Sequence, residues 1–354
     1  NDIKERTSIA SVRFVTATIA TFIVQGLTLP LVSKFGHGSA QQGWHTTIIL
    51  FAAVGLILML ITFFSCRERI KPIKKEKTSV KQDFKDLIGS RPWKAMFCLT
   101  IFLFTTLAMW GSSMSYYFNY YVDKASLYQF LSNFGLEASA NGGVMQSILD
   151  AFGLIIKPDY SNVFAVGFSL FNMSGQIVTL LGVIILSGWL SGIFGKRNVF
   201  IVCLALTAVF TSLFFIVGNK SIVAIFIINL FKSLAYAPTI PLLWAMMGDV
   251  ADFNEWHYSR RATGFTFAGI VFALKAGLGI GGAICGKILD SFGFVANAVQ
   301  TPDSIFGIRL TSSLIPALTF AIGVLALFFY PISKKYNQHI QDDLSERRAL
   351  SNEK

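Results

Sequence analysis

Charge is what this sequence has least of for its length. Only 14% of its 354 residues are Asp, Glu, Lys or Arg, where a soluble domain carries about 25%. That deficit excludes a water-solvated surface over most of the chain. Histidine and cysteine are scarcer still, with four of each. His37, His45, His257 and His339 all stand at the ends of apolar stretches or in polar ones. They therefore offer no cluster with Asp or Glu from which a membrane-embedded enzyme could be built. Cys66, Cys98, Cys203 and Cys285 lie in or beside apolar stretches with no close pair. They read as small hydrophobes, with neither disulfide nor metal-site spacing. No signal peptide precedes the first apolar stretch. The first residue is Asn, not Met, so the chain is expected to be a fragment that starts within a longer protein.

What is abundant is apolar. Hydrophobic residues make up 53% of the chain, 34 of them Phe, and the mean hydropathy is +0.59. They gather in eight long stretches, at 10–33, 43–66, 93–122, 161–194, 198–217, 221–250, 263–290 and 307–332. About twenty apolar residues in a row are enough to cross a bilayer as a helix. Backbone polar groups in lipid must be satisfied within the segment or by barrel closure, and runs this long imply helices. The expected fold is an all-α polytopic membrane protein.

The net charge of +11 raises the possibility of nucleic acid, and its distribution answers it. If the N-terminus is placed in the cytoplasm, 21 Lys and Arg fall on inside stretches and four on outside ones. This is the positive-inside pattern, so the charge encodes orientation, with both termini cytoplasmic and no nucleic-acid partner. The most basic stretch, 67–94, reads as a solvated cytoplasmic linker touching anionic lipid. It separates an expected pair of helices at 1–66 from a six-helix bundle at 95–332, with a cytoplasmic tail at 333–354. Within the bundle, the outside insertion 123–160 contains "LYQFLSNFGL" and "GGVMQSILDAFGLII". These pieces are too short to span and amphipathic, so they are expected to form short helices that either lie on the membrane surface or serve as a lid.

A charge at the bilayer centre costs about 2.5–3.5 kcal/mol, so each one needs a reason. Lys275 lies about 18 Å into its helix, at 1.5 Å per residue, within the small-residue stretch "GIVFALKAGLGIGGA". It is expected to meet a polar cavity or a buried ion pair. Arg13 sits nearer a helix end, where snorkelling is the alternative. Lys232 is deep in its helix with no motif to explain it. Asn172 and Gln176 are one turn apart on one face. Trp110, Tyr116, Tyr117, Tyr120 and Tyr121 crowd the outer half of one helix, where an interfacial aromatic belt competes with sugar stacking. Of these, Trp110 and Tyr120 are carried as candidate sugar contacts. Pro238 and Pro241 in "YAPTIPLLW" are expected to break or kink their helix.

The tightest charge cluster is "GDVADFNEWHYSRRATG", from Gly248 to Gly264. Asp249, Asp252 and Glu255 recur every third residue along one helical face, and Arg260 and Arg261 follow. Carboxylates at a helix C-terminus oppose its dipole, so local helix stability does not explain them. The placement suits a cytoplasmic gate in which Asp249 and Asp252 pair with basic residues of the other bundle, Arg6 being the nearest in sequence.

This stretch, with "FALKAGLGIGGA" after it and with "ERTSIASVRF" and "VQGLTLPLV" near the start, resembles the glycoside–pentoside–hexuronide:cation symporters of the major facilitator superfamily. The resemblance covers the chain except the 123–160 insertion. It implies two bundles of six helices, of which this chain holds helices five to twelve. It further implies that Arg13 and Lys275 contact the sugar. Asp249, Asp252 and Arg261 then belong to the charged network at the cytoplasmic gate. Where melibiose carriers have a Thr one turn before the lysine, this chain has Val271; their helix-ten tryptophan falls at Ile240, and Trp244 is the substitute candidate. The function expected is symport of a glycoside or oligosaccharide with H⁺ or Na⁺, in a bacterial inner membrane, by a monomer with no cofactor beyond the coupling ion. A lysolipid carrier of the same superfamily is the alternative.

Overall fold

The computed structural model describes residues 3–36, 38–65, 80–138, 143–259 and 263–352, with side chains for all of these except 3–15, 80, 83 and 348–352. The described residues are helical almost throughout, and a single isolated bridge between Glu137 and Ile156 is their one β pairing. Among the described residues, eight helical spans are long and apolar enough to cross a membrane, matching in number the eight apolar stretches of the sequence. Packing divides the chain into two compact units: Asn1–Lys77 with Asp123–Ser174, and Thr78–Val122 with Gly175–Lys354.

In the first unit, α1 (Ile3–Gly36) and α2 (Ala40–Ser65) form a helical hairpin. The insertion folds as α5 (Lys124–Ser132) and α6 (Val144–Ala151), the two short helices its amphipathic pattern predicts. Asp123 caps α5 by accepting from the Ser126 N–H at 2.9 Å. A Lys34–Asp150 ion pair of 3.1 Å joins α6 to the end of α1. Tyr128 donates to Glu137 at 2.7 Å, and that bond to a carboxylate pushes its phenol up to about 12.

The second unit is organised around α4 (Arg91–Tyr116), which ends in a π-helical turn at Tyr117–Tyr121. Against it lies α11 (Thr263–Ser291), whose buried stripe is Thr266, Ile270, Ala273, Gly277, Gly281, Cys285 and Leu289. Small residues every fourth position let two backbones meet in lipid, where packing replaces the hydrophobic effect as the driving force. A Cβ on Gly281 would stand 2.3 Å from the Thr105 carbonyl oxygen, and one on Gly277 would stand 2.6 Å from that of Ile101. On the far side of α4, α13 (Leu314–Phe328) is joined to it by a Thr106–Thr319 hydroxyl contact of 2.7 Å. The core contains Met96, Leu99, Leu103, Phe200, Leu204, Met246 and Leu327.

Two helices break where proline removes donors. The span 222–258 divides into α9 (Ile222–Tyr236) and α10 (Thr239–Tyr258) at Pro238, as "YAPTIP" predicts: Pro238 and Pro241 have no N–H for the carbonyls four residues back. The stretch 307–332, read as one segment, also divides, into α12 (Pro302–Ser312) and α13. Ser313 between them has φ −136° and ψ −77°, and Pro316 leaves the Ser312 carbonyl without its helical donor. The remaining long helices are α7 (Val163–Phe194) and α8 (Lys196–Leu213).

The two polar stretches read as a solvated linker and a cytoplasmic tail contain helices. The linker holds α3 (Val80–Gly89), which buries Leu87 to 4% exposure, and the tail holds α14 (Lys334–Asn352), which buries Ile340 and Leu344.

Candidate functional site

The candidate side chains of the second unit fall into two places, and Asn172, at the end of the first unit, is described with its helix neighbour Gln176. The first is the end of α10, expected to face the cytoplasm. Asp249 is buried there and is held by both carboxylate oxygens: Lys196 Nζ donates to Oδ1 at 2.7 Å and to Oδ2 at 2.8 Å. Asn337 of α14 adds a 3.2 Å contact to Oδ1. One turn on, Gln341 donates to Asp252 at 2.7 Å. Trp256 donates its indole N–H to Asp343 at 2.9 Å, and Arg347 donates to the Trp256 carbonyl at 3.2 Å. Beneath them, Tyr330 is 1% exposed, and burial followed by the Asp249 charge raises its phenol well above the ordinary range.

The local sequence explains this geometry. Gly195, at φ +82°, turns the chain sharply between α7 and α8 and sets Lys196 on the first turn of α8. Arg197 donates to the carbonyls of Leu327 and Phe328 at 3.3 and 3.1 Å, covering the C-terminal end of α13, where a cation is favoured. Lys334 similarly donates to the Gly192 carbonyl at 2.6 Å. Among the described residues, Asp249 and Asp252 thus find their partners within their own unit, in Lys196, Asn337 and Gln341. Glu255 is half-buried on the next turn. Arg260 and Arg261, and the side chains of Arg6 and Arg13, lie outside the described residues.

The sequence reading missed Lys196 and the role of the tail, although signals for both were present. "GKRN" places two cations in a loop too short to be a free linker. Tyr336, Ile340 and Leu344, four apart, mark an amphipathic helix face within a stretch that otherwise looks solvated.

The second place is the membrane interior. Lys275 is exposed on the side of α11 turned away from the α4 stripe, beside Val271, Phe272 and Leu278. Trp244 is 40% exposed on α10. Asn172 and Gln176 are half-buried, one turn apart in α7. Tyr120 is occupied: its hydroxyl accepts from the Asn297 N–H at 3.0 Å, and its ring packs on Phe294. Trp110 is occupied too, by a residue for which no motif spoke. The ammonium of Lys232 stands 2.9 Å from the centroid of its ring, and Lys232 is only 9% exposed. A desolvated cation–π contact contributes about 2 kcal/mol or more, against an ion-burial penalty of several kcal/mol.

Long apolar helices in two packed units, proline-broken spans and isolated cations within the apolar interior define a polytopic membrane protein of the transporter class. Its family follows from comparison. The sequence profile of MFS/sugar transport protein matches residues 1–144 and 159–334, and the chain belongs to that family of glycoside:cation symporter relatives in the major facilitator superfamily. It is 25% identical over 354 residues to the isoprimeverose transporter of Lactiplantibacillus pentosus, covering 99% of this chain and 65% of that protein. To the inner membrane symporter YicJ of Escherichia coli K12 it is 24% identical, over 98% of this chain and 66% of the other. To the glucuronide carrier protein homolog of the same strain it is 24% identical, over 98% and 67%. The chain therefore spans about two thirds of the length of these relatives.

Proposed function

We propose that the protein is a secondary active transporter that carries a glycoside or oligosaccharide together with H⁺ or Na⁺ by alternating access. The spans of this chain take the places of helices five to twelve of a twelve-helix arrangement in a bacterial inner membrane, with both ends of the chain in the cytoplasm. The observation that carries this reading is Lys275. It is a cation about 18 Å along a membrane helix that points away from the helix's own packing stripe. Membership of a sugar-transport family supports it, as do relatives named as transporters of isoprimeverose and carriers of glucuronides. In this reading Arg13 and Lys275 hold the sugar, with Asn172, Gln176 and Trp244 as further contacts. The Asp249–Asp252–Glu255 face, with Arg6, Arg260 and Arg261, biases which side of the pathway is open.

The test is uptake into proteoliposomes of a panel of labelled glycosides, with and without a Na⁺ gradient and with and without a pH gradient. Accumulation against the sugar gradient, driven by one of the two ions, is the expected result. Transport of lysolipid in place of every glycoside would overturn the substrate assignment, and the absence of any gradient-driven accumulation would overturn symport.

A further inference from the structure

Helices α4 and α13 run antiparallel, with three contacts along their length. Ser113 donates to the Thr311 carbonyl at 2.9 Å, Thr106 meets Thr319, and an added Cβ on Gly323 would lie 3.3 Å from Leu99 Cδ1. Beyond Leu99, toward the first turn of α4, the two helices border a groove of about 540 Å³. That volume falls within the roughly 300–1,000 Å³ of small-molecule sites. Arg91, Lys94 and Cys98 stand on one wall, and Ile322, Leu325 and Phe329 on the other. From Arg91 to Cys98, and from Phe329 to Ile322, each wall is about 10 Å long at 1.5 Å per residue.

The groove is charged at one end only. Arg91 and Lys94 share one helical face at its mouth, and both are exposed. Deeper, the lining is apolar apart from the Cys98 thiol, and no Asp or Glu lines it. Lys196 and Arg197, at the same end of the unit, are occupied, the first by Asp249 and the second by the Leu327 and Phe328 carbonyls. Among the described residues, no carboxylate pairs with Arg91 or Lys94.

The preceding helix marks the membrane surface at this level. It ends at Gly89, two residues before Arg91. Phe84 and Ile88 are exposed one turn apart, with Lys81 and Lys85 beside them. That pattern suits a helix lying in the interface, its apolar side toward the acyl chains and its ammonium groups among the headgroups. Arg91 and Lys94 then stand at headgroup depth, and the groove descends from them into the hydrocarbon.

We propose that this groove seats one anionic diacyl phospholipid, a resident partner of the fold and distinct from the cargo. Its phosphate is held by the Arg91 guanidinium fork and the Lys94 ammonium, and one acyl chain runs along Cys98, Ile322 and Leu325. A zwitterionic lipid sets its own cation against these two, so the mouth selects net negative charge.

Two measurements on the purified protein in detergent test the site. Native mass spectrometry reads lipid retention after loading with equimolar phosphatidylglycerol and phosphatidylcholine of matched chains. Two cations at the headgroup correspond to a preference of roughly tenfold or more for phosphatidylglycerol. That ratio is expected to fall toward one in Arg91→Gln/Lys94→Gln and to recover in Arg91→Lys/Lys94→Arg. Equal retention by the wild-type protein overturns the proposal, as does a preference that survives the double Gln variant, because the lipid then binds elsewhere. Alkylation of Cys98 by N-ethylmaleimide, mapped on peptides, locates the lipid. Phosphatidylglycerol should slow it, while phosphatidylcholine and inorganic phosphate should not. Equal protection by phosphatidylcholine shows an unselective apolar groove, protection by phosphate shows a site for a free anion, and no protection by phosphatidylglycerol shows an empty groove; each overturns the assignment. If the double Gln variant does not fold, salt decides on the wild-type protein. Raised ionic strength should remove the protection of Cys98, and protection indifferent to salt overturns the role of the two cations.

Discussion

The Lys196–Asp249 pair is asymmetric in a way that sets a quantitative expectation. The Lys196 side chain is 37% exposed and that of Asp249 is 10% exposed. Removing one partner of a fully buried pair costs roughly 3–5 kcal/mol, mostly because a charge is left behind without water. After Asp249→Asn, the ammonium left behind can turn to solvent, and screening at its exposed position reduces the loss to about 1–2 kcal/mol. After Lys196→Gln, the carboxylate left behind is nine-tenths buried and, among the described residues, keeps only the 3.2 Å Asn337 contact, so the loss approaches about 3 kcal/mol. For a chain of this length, each kcal/mol moves the unfolding midpoint by about 2 °C. Lys196→Gln should therefore lower Tm by about 6 °C and Asp249→Asn by about 2–4 °C. The double variant should lose less than the sum, because neither charge is then stranded. The assay is heating in detergent with a fluorogenic maleimide, read out by the buried thiols of Cys203 and Cys285, which are 7% and 2% exposed. Strict additivity of the two single effects would refute the pair as the principal partnership of Asp249. So would a near-neutral Lys196→Gln.

Three further outcomes are expected. Gly281→Leu should sharply reduce folded yield, because its Cβ alone would stand 2.3 Å from the Thr105 carbonyl oxygen. Gly282→Leu, one residue on with nothing within 4 Å, should be tolerated; fluorescence-detected size exclusion compares the two, and equal profiles would refute the close α4–α11 approach. Lys275→Ala should abolish uphill uptake while the protein remains folded in the membrane, because the side chain is exposed within the second unit. Concentrative uptake by that variant at the wild-type level would remove Lys275 from the transport machinery. Arg13→Lys should weaken sugar binding measurably, since a planar guanidinium serves adjacent hydroxyls and an ammonium does not; unchanged affinity in equilibrium binding would make Arg13 an interfacial anchor.

Much of the architecture is written in one dimension. A run of apolar residues long enough to cross a bilayer has to be a helix, because no water is present to satisfy its backbone. That local necessity makes the eight spans legible in the sequence, as amphipathicity does the short helices of the insertion and proline's missing N–H the kink at Pro238. The amphipathic faces of α3 and α14 were equally local, but their polar composition obscured them. Tyr336, Ile340 and Leu344 carry a signal of only three residues in a stretch crowded with charge. The break at Ser313 was passed over although "RLTSSLIP", from Arg309 to Pro316, joins a polar cluster to a proline within the segment.

Pairing is different, because a partner in space leaves no trace in the spacing of either residue. Asp249 announced itself as a carboxylate at the wrong end of a helix dipole, yet only packing shows Lys196, 53 residues away, bound to both of its oxygens. Trp110 was legible as an aromatic in the outer half of a span, where a belt is the favoured reading from sequence and a sugar contact the alternative. The fold decided that its face is taken by Lys232, 122 residues further along the chain and carried by a different helix. Identity and depth are properties of a segment and follow from its sequence. The counter-charge of a buried group depends on which helices lie side by side, and only the tertiary structure determines that.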